Sequence, residues 1–332
     1  MNKTEQGVLD QNRLPHLFSL LILLLICFIF PLQLASAANQ GLTILLLHTP
    51  ENRLQNTIAQ KLSVTLAYRL SETAIMSTSN ASYDESKIDT NTLVVAIGKD
   101  NIVTASQKFP ENDKLLLSVR PVDEGPVSTD DRGSSVLYIS QPLCRQLQFV
   151  KTLNPKWRSI GIIISDSSSL NKAKISACSN TNMPAVNIGT VDSAGQLSIR
   201  LKEILSDSDL LLAQPDNSIY NSKTVKNILL TSYRSRKPVI GFSKSFTKAG
   251  ALASIYSTPT QIAETATSII DNYVISGNRF SRKENYPDDF EISINRQVFR
   301  ALDMDPPDID KLKDKIETSA SHHSADRKGS PK

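Results

Sequence analysis

The sequence predicts an α/β protein made of two doubly wound, mostly parallel-sheet lobes. Short apolar segments rich in β-branched residues alternate with segments of helical periodicity. Strands without polar alternation are typical of parallel sheets that helices cover on both faces. One such series precedes Ser140 and another follows it, and 332 residues are enough for two lobes of ordinary size.

The clearest single element is a helix that begins near Thr258. Thr258 can cap it, Pro259 suits the first helical position, and Gln261 completes a capping box. Apolar residues then recur on one face up to Tyr273, and Gly277 suits the left-handed position after the last turn. Residues 239–242 predict a buried strand upstream, and the polar residues 243–245 predict a loop.

Further elements follow in order along the chain. In the first half we expect strands at 43–48, 93–98, 115–119 and 136–140, a helix capped by Thr49, and turns over 77–92. In the second half we expect strands at 159–165, 185–191 and 210–214. Pro142 and Pro155 bound one helix, and a capping box from Ser193 to Gln196 begins another.

The N-terminus has the pattern of an export signal. Lys3 and Arg13 precede an apolar run at 17–34, which ends at Ala35-Ser36-Ala37. We therefore predict a signal peptide over residues 1–37 and a periplasmic mature chain. The alternative is an uncleaved inner-membrane anchor, because the run is nearly long enough to span a bilayer.

Two cysteines, Cys144 and Cys178, remain in the mature chain. They can form one disulfide in an oxidising compartment or stay as two separate thiols, and the sequence leaves both open. Residues 305–332 predict a largely disordered C-terminal tail, apart from one short helix lined by Ile309, Leu312 and Ile316.

The composition excludes several function classes. A net charge of +4 comes without an aromatic-interleaved basic patch, so nucleic-acid binding is not expected. Of four histidines only His48 lies in the folded body, which argues against a histidine triad, a metal site or an enzyme. Ser243 lacks the final glycine of a nucleophile elbow, and no glycine-rich phosphate loop or other cofactor motif is present.

Candidate binding residues follow from the geometry of parallel sheets, since ligands lie beyond the carboxyl ends of the strands. Asp216 could pair with a ligand ammonium, Tyr220 could stack on an aromatic group, and Thr49 or Ser243 could donate to a carboxylate. Each also has a purely structural interpretation as a turn residue, a half-buried aromatic or a helix cap. The full set is Thr49, Gly98, Lys99, Ser165, Asp216, Asn217, Tyr220 and Ser243.

Four segments also resemble a known family. They read SQPLCRQLQFVKTLNP (140–155), PDNSIYNSKTVKNILLTSYRSRKPVIGF (215–242), GFSKSFTKAGALASIYSTPTQIAETA (241–266) and YPDDFEISINRQVFRALDM (286–304). The likeness is to the substrate-binding proteins of ABC transporters, in particular the branch that binds tryptophan and tyrosine. Residues 119–123 differ from that branch, which carries a Thr/Asp-Pro loop there.

The resemblance implies a type I periplasmic-binding-protein fold, with a ligand cleft between the two lobes that closes on a small solute. It implies one lobe at 38–140 and 257–278, and a second lobe at 141–256 and 288–304. The implied partners are a small-molecule ligand, an ABC permease and a separate ATPase subunit, and we expect a monomer. The alternative function is a ligand sensor or a structural envelope module on the same fold.

Overall fold

The computed structural model describes residues 42–70, 74–78, 88–119, 133–166, 168, 170, 172–178, 183–192 and 195–328. The predicted signal peptide and Ser193 lie outside these ranges. Among the described residues, no helix combines the length and apolar character needed to cross a membrane. The described residues belong to one compact unit.

The first sheet, sheet A, has six strands in the order β11-β5-β4-β3-β1-β2. All its pairings are parallel. Its strands are β1 (Thr43–Leu47), β2 (Ala74–Thr78), β3 (Thr92–Ile97), β4 (Lys114–Ser118), β5 (Ser134–Tyr138) and β11 (Glu284–Asn285). The carboxyl ends of these strands therefore lie at one edge.

The second sheet, sheet B, has the order β12-β10-β9-β8-β6-β7. Only β12 runs antiparallel to its neighbour among the pairings described. Its strands are β6 (Ser159–Ser165), β7 (Ala185–Val191), β8 (Leu210–Leu212), β9 (Val239–Gly241), β10 (Ala253–Tyr256) and β12 (Glu291–Ile294).

Helices cover both faces of each sheet. In chain order they are α1 (Arg53–Arg69), α2 (Lys99–Lys108), α3 (Leu143–Leu153), α4 (Lys172–Cys178), α5 (Leu197–Ser206), α6 (Val225–Arg234), α7 (Lys244–Ala249), α8 (Pro259–Ile275), α9 (Arg296–Ala301) and α10 (Ile309–Lys328). On sheet A, α1 and α8 pack on one face and α2 on the other. On sheet B, α3 and α10 pack on one face, and α5, α6 and α7 on the other. The predicted fold class is confirmed.

The helix predicted from the strongest local signals is present as expected. In α8 the Thr258 side chain accepts a hydrogen bond from the Gln261 N–H, and the Gln261 side chain accepts one from the Thr258 N–H. Pro259 begins the helix. Gly277 has φ +70°, as its predicted left-handed position requires. Ile262 and Ile270 on its apolar face are buried against sheet A.

Two predicted helix starts are wrong. Helix α1 is capped by Asn52 rather than Thr49, because the Asn52 side chain accepts from the N–H groups of Leu54 and Gln55. Helix α5 begins at Leu197, and the side chain of Gln196 at its N-cap position makes no capping hydrogen bond. Ser193, the predicted cap, lies outside the described residues. The reason is that a polar residue near a helix start marks the cap only to within a few positions.

Other elements lie where the sequence indicated turns, a loop or disorder. Strand β2 begins just before the expected turns of 77–92, and α7 replaces the expected loop, with Ser243 as its N-cap. Helix α10 continues through Lys328, beyond the short helix expected in the tail. Leu312 and Ile316 are buried against α3 and sheet B, and this packing stabilises the helix.

The chain passes between the two sheets three times. The first passage follows β5 and leads into α3, the second follows β10 and leads into α8, and the third joins β11 to β12. Strand β11 has only two residues and pairs with β5. The third passage therefore leaves sheet A from β11, which is next to β5, the strand from which the first passage leaves.

Gly98 occupies a backbone conformation that other residues rarely adopt, with φ +88° and ψ 160°. A Cβ at this position would lie 2.2 Å from Nε2 of Gln55. We expect Gly98→Ala to lower the free energy of unfolding by about 1–3 kcal/mol, through backbone strain and displacement of Gln55. Urea titration followed by circular dichroism measures this change.

Gly195 supplies the matched control. A Cβ there would meet no atom within 4 Å, and its φ is not in the left-handed region. Gly195→Ala should therefore leave the urea midpoint within experimental error or raise it slightly. Equal midpoints for the two alanine variants would contradict the strain at Gly98.

Candidate functional site

A cavity of about 450 Å³ lies where the carboxyl ends of strands from both sheets approach each other. This volume is within the range of small-molecule sites, roughly 300–1,000 Å³. Sheet A contributes Val119, which follows β4, together with Glu284 and Tyr286 of the β11 segment. Sheet B contributes Ile164 at the end of β6, and Gln214 and Asp216 after β8.

The start of helix α3 forms another part of the cavity wall. Residues 140–144 and Gln146 line the cavity, and Pro142 is the N-cap. No side chain caps this helix. The N–H groups of the first helical turn lack intrahelical acceptors, and the helix dipole makes this end favourable for an anion. The cavity wall therefore includes a group of backbone donors.

A disulfide joins Cys144 at the start of α3 to Cys178 at the end of α4. This settles the alternative that the sequence left open in favour of pairing. Both cysteines line the cavity, together with Leu170 and Ala177 of the α4 region. The bond therefore fixes α4 against α3 beside the cavity.

Asp216 lies at the cavity and is only 2% exposed. Its Oδ2 accepts from the Ser165 hydroxyl at 2.6 Å and the Ser165 N–H at 3.1 Å, and its Oδ1 accepts from the Ser218 N–H at 2.9 Å. The structure thus brings together two predicted site residues, Ser165 and Asp216. Their bonds join the end of β6 to the turn after β8.

Three glutamines along the cavity form a continuous series of hydrogen bonds. Gln146 donates from Nε2 to the backbone oxygen of Gln141 at 2.7 Å. Gln214 donates from Nε2 to Oε1 of Gln146 at 2.9 Å. Gln141 and Gln146 are buried, whereas Gln214 is half-buried. The first passage is thereby connected to the loop that carries Asp216.

The side chain of Gln141 also connects the three passages between the sheets. Its Nε2 donates to Oγ of Ser257 in the second passage at 2.5 Å. The Ser257 hydroxyl donates to the backbone oxygen of Asp289 in the third passage at 2.8 Å. Arg145 donates both to Oε1 of Gln141 at 2.7 Å and to the oxygen of Pro287 at 3.0 Å.

Arg145 lies in a partly desolvated position beside these passages. Its guanidinium carbon is 5.1 Å from the centroid of the Phe290 ring. Burial lowers the pKa of Arg145, and the carboxylates of Asp288 and Asp289 oppose that shift. The guanidinium therefore keeps its charge and its two bonds to the passages.

On the sheet A side, aromatic rings adjoin a carboxylate. The rings of Tyr138 and Tyr286 are 5.0 Å apart, and the Tyr138 hydroxyl donates to Oε1 of Glu284 at 3.0 Å. Burial raises the pKa of Tyr286, and the charge of Glu284 adds to the shift. Tyr286 therefore presents a neutral aromatic side chain to the cavity.

The predicted first-lobe residues lie at the same sheet edge but do not line the cavity. Thr49 and Gly98 meet around Gln55, whose Oε1 accepts from the Thr49 N–H at 2.9 Å. Asn101 donates to the same oxygen at 3.1 Å and to the Thr49 hydroxyl at 3.2 Å. Lys99 is exposed at the start of α2. These bonds support a structural role for this group.

Three predicted second-lobe residues also lie away from the cavity lining. The Tyr220 ring packs edge-on against Phe242 and Phe246 in the sheet B core, so the predicted stacking on a ligand does not match its position. Burial raises the pKa of its hydroxyl, and the charge of Asp216 adds to this. Ser243 accepts from the Phe246 N–H as a helix cap, and Asn217 is an exposed turn residue.

The sequence reasoning missed the glutamines at the cavity. Gln141 directly follows the predicted strand at 136–140 and precedes Pro142, which was expected to begin a helix. This is a position that the sheet-edge rule favours. Gln214 was assigned to the strand 210–214, but β8 ends at Leu212. The described residues contain no group of three or more His, Cys, Asp or Glu side chains that could hold a metal ion.

The model of the ABC transporter substrate binding protein family matches residues 139–314. The chain belongs to this family. The matched segment begins beside the first passage and includes Gln141, Asp216 and the start of α3. A curated relative, the tyrosine-binding protein of Clostridioides difficile strain R20291, is 23% identical over 233 residues, covering 68% of this chain and 67% of that protein.

Solved structures support the same fold. An ABC domain in complex with L-Trp from Streptococcus pneumoniae gives a TM-score of 0.56 at 16% identity, over 82% of this chain and 98% of that chain. A ligand-free, open substrate-binding protein with adhesive properties from Clostridium difficile gives 0.59 at 18% identity, over 80% and 96%. The type I periplasmic-binding-protein fold implied by the resemblance is confirmed.

Family and fold together make this substrate-binding protein a solute-binding component of an ABC transporter. This confirms the function predicted from the resemblance at the level of solute binding. A binding role also follows from the family.

The disulfide beside the cavity provides a stability test. The bonded cysteines are 34 residues apart, so the crosslink restricts the unfolded chain by about 3–4 kcal/mol in the chain-entropy description. We expect the double variant Cys144→Ser/Cys178→Ser to lose a free energy of unfolding of that order. Urea titration of oxidised protein measures the loss.

The reductant dependence separates loss of the bond from loss of the thiols. Dithiothreitol should lower the urea midpoint of the wild type towards that of the double variant, and should leave the variant unchanged. If wild type and variant unfold at the same midpoint without reductant, the two cysteines are not paired in the protein.

Proposed function

We propose that this substrate-binding protein captures an amino acid in the cavity and delivers it to an ABC permease whose ATPase is a separate subunit. The observation that carries the proposal is the cavity itself, because it is lined by both the uncapped start of α3 and the Asp216 carboxylate. One group suits an anion and the other a cation. A ligand that carries both charges close together is a zwitterion.

The two ends of an amino acid match these groups. The backbone N–H groups at the start of α3 can donate to the ligand carboxylate. The Asp216 carboxylate, held by Ser165 and Ser218, can compensate the charge of the ammonium group. Val119, Ile164, Leu170 and Tyr286 provide apolar surface for the ligand side chain.

Aromatic amino acids are the first candidates for that side chain. The tyrosine-binding relative and the L-Trp complex give this direction, and the aromatic Tyr286 at the cavity agrees with it. Tyr286 could stack against a ligand ring, as offset or edge-on aromatic pairs do. Aliphatic amino acids serve as the comparison.

Capture would involve closure of two lobes about the three passages. We keep the boundaries expected from the sequence, with one lobe at 38–140 and 257–278 and the other at 141–256 and 288–304. The bonds of Gln141 to Ser257 and of Arg145 to Pro287 lie at these boundaries. A ligand that contacts both lobes binds the closed arrangement more tightly than the open one, and therefore shifts the protein towards closure.

Calorimetry with the purified mature protein tests the proposal. L-tyrosine, L-tryptophan and the other amino acids are titrated singly into protein that has been unfolded and refolded to remove bound solute. We expect saturable binding of at least one aromatic amino acid. A protein that binds none of the amino acids would favour a sensor or structural module with a different ligand.

Asp216→Ala tests the charge compensation. Because removing one partner of a desolvated charge pair costs about 2–5 kcal/mol, we expect affinity for the bound amino acid to fall more than tenfold. The variant should also unfold more easily, since three hydrogen bonds to the carboxylate are lost. Calorimetry and thermal unfolding measure the two effects separately.

Ser165→Ala is the matched control. It removes the 2.6 Å hydroxyl bond to Asp216 but keeps the carboxylate and the backbone bond. We expect reduced thermal stability with nearly unchanged affinity. Equal affinity losses in the two variants would show that Asp216 acts through the local fold rather than through its charge.

We also propose that the protein is exported and processed to a periplasmic form. The Cys144–Cys178 disulfide supports this location, because disulfides persist in oxidising compartments. Cleavage after Ala37 should give a mature N-terminus at Ala38. N-terminal sequencing of the envelope fraction checks this, and recovery of residues 17–34 would instead indicate an uncleaved membrane anchor.

A further inference from the structure

Two of the three glutamines at the cavity, Gln146 and Gln214, have amide orientations that follow from one fixed acceptor. The backbone oxygen of Gln141 can only accept, so the Gln146 amide must direct Nε2 towards it. Oε1 of Gln146 then accepts, so the Gln214 amide must direct Nε2 towards Gln146. The orientation of Gln214 is therefore fixed by the main chain of the first passage.

This orientation leaves one acceptor at the cavity. With Nε2 of Gln214 directed to Gln146, its Oε1 is the amide atom that remains to accept a hydrogen bond. Gln214 is half-buried and lines the cavity. Its oxygen accepts no hydrogen bond from the described residues, which distinguishes it from both oxygens of Asp216.

Gln214 also lies beside the backbone donors of α3. Its hydrogen-bond partner, Gln146, is the fourth residue of that helix and contacts the residue before the Pro142 cap. In an α-amino acid, one carbon separates the carboxylate from the ammonium group. A carboxylate at the start of α3 would therefore place the ammonium group within reach of a neighbouring acceptor.

We infer that Gln214 is a specificity-determining residue whose Oε1 accepts a hydrogen bond from the α-ammonium group of the ligand. The inference rests on the proposed function and deepens it. Asp216 supplies the compensating charge two residues away, and Gln214 supplies the direct acceptor. The site then selects α-amino acids over carboxylic acids of the same shape, because only the amino acids bring a donor to this oxygen.

A cycle of two proteins and two ligands tests the inference. L-tyrosine and 3-(4-hydroxyphenyl)propionate differ only in the amino group, as do L-tryptophan and indole-3-propionate. Each pair is titrated into the wild type and into Gln214→Leu, which removes the amide at similar size. We expect Gln214→Leu to weaken binding of the amino acid about tenfold and to leave the des-amino acid unchanged.

Two further variants exclude a general disturbance of α3. Gln148→Leu changes a glutamine of the same helix that is not part of the cavity lining, and should alter neither affinity. Gln146→Leu keeps Gln214 but removes the partner that orients it. We expect an intermediate loss for the amino acid and none for the des-amino acid. Circular dichroism of each variant confirms that it is folded.

The outcomes separate this inference from the proposed function. Equal losses for both ligands in Gln214→Leu, or no loss for either, would overturn the role of Gln214 while leaving amino acid binding intact. A wild type that binds des-amino acids as tightly as amino acids would overturn it as well. A wild type that binds no amino acid would overturn both proposals. Loss confined to the amino acid supports the inference.

Discussion

The hydrogen bonds of the Gln141 amide are the interaction on which the arrangement of the two sheets depends most directly. Gln141 belongs to the first passage, bonds Ser257 of the second, and reaches the third through Arg145 and the oxygen of Pro287. It is only 4% exposed, and a buried amide that loses its partners is costly. Any rotation of one sheet relative to the other must therefore keep these bonds or exchange them together.

The same residue begins a series of hydrogen bonds that runs along the cavity to Gln214. The backbone oxygen of Gln141 orients Gln146, which in turn orients Gln214 beside Asp216. The Gln141 group that joins the passages is thus two hydrogen bonds away from the Gln214 side chain. A ligand that forms a hydrogen bond with Gln214 would act on the first passage through Gln146 and Gln141. These polar contacts connect ligand binding to lobe closure.

Local signals predicted the fold well and the site only in part. The capping box at Thr258 and the unbroken apolar strands identified their elements because those signals are contained within a few residues. Asp216 lies at the cavity, as the sheet-edge rule predicts, because that rule needs only the end of a strand. Tyr220 was chosen by the same rule, but its ring lies in the core of sheet B. The direction of the ring depends on packing, which the sequence pattern does not show. The two-residue β11 depends on pairing with β5, some 150 positions away, so no local pattern could indicate it.

The two sides of the cavity are held by different contacts. On the sheet B side, the disulfide fixes α4 to α3, and the amide series ties α3 to the loop after β8. On the sheet A side, Tyr286 follows the short β11, and Val119 follows the end of β4. If the cavity takes an amino acid as proposed, the polar groups that all such ligands share fall on the sheet B side. The side chain that distinguishes one amino acid from another then meets apolar residues of both sides, among them Val119 and Tyr286, where a change of residue alters selectivity without removing the shared polar contacts.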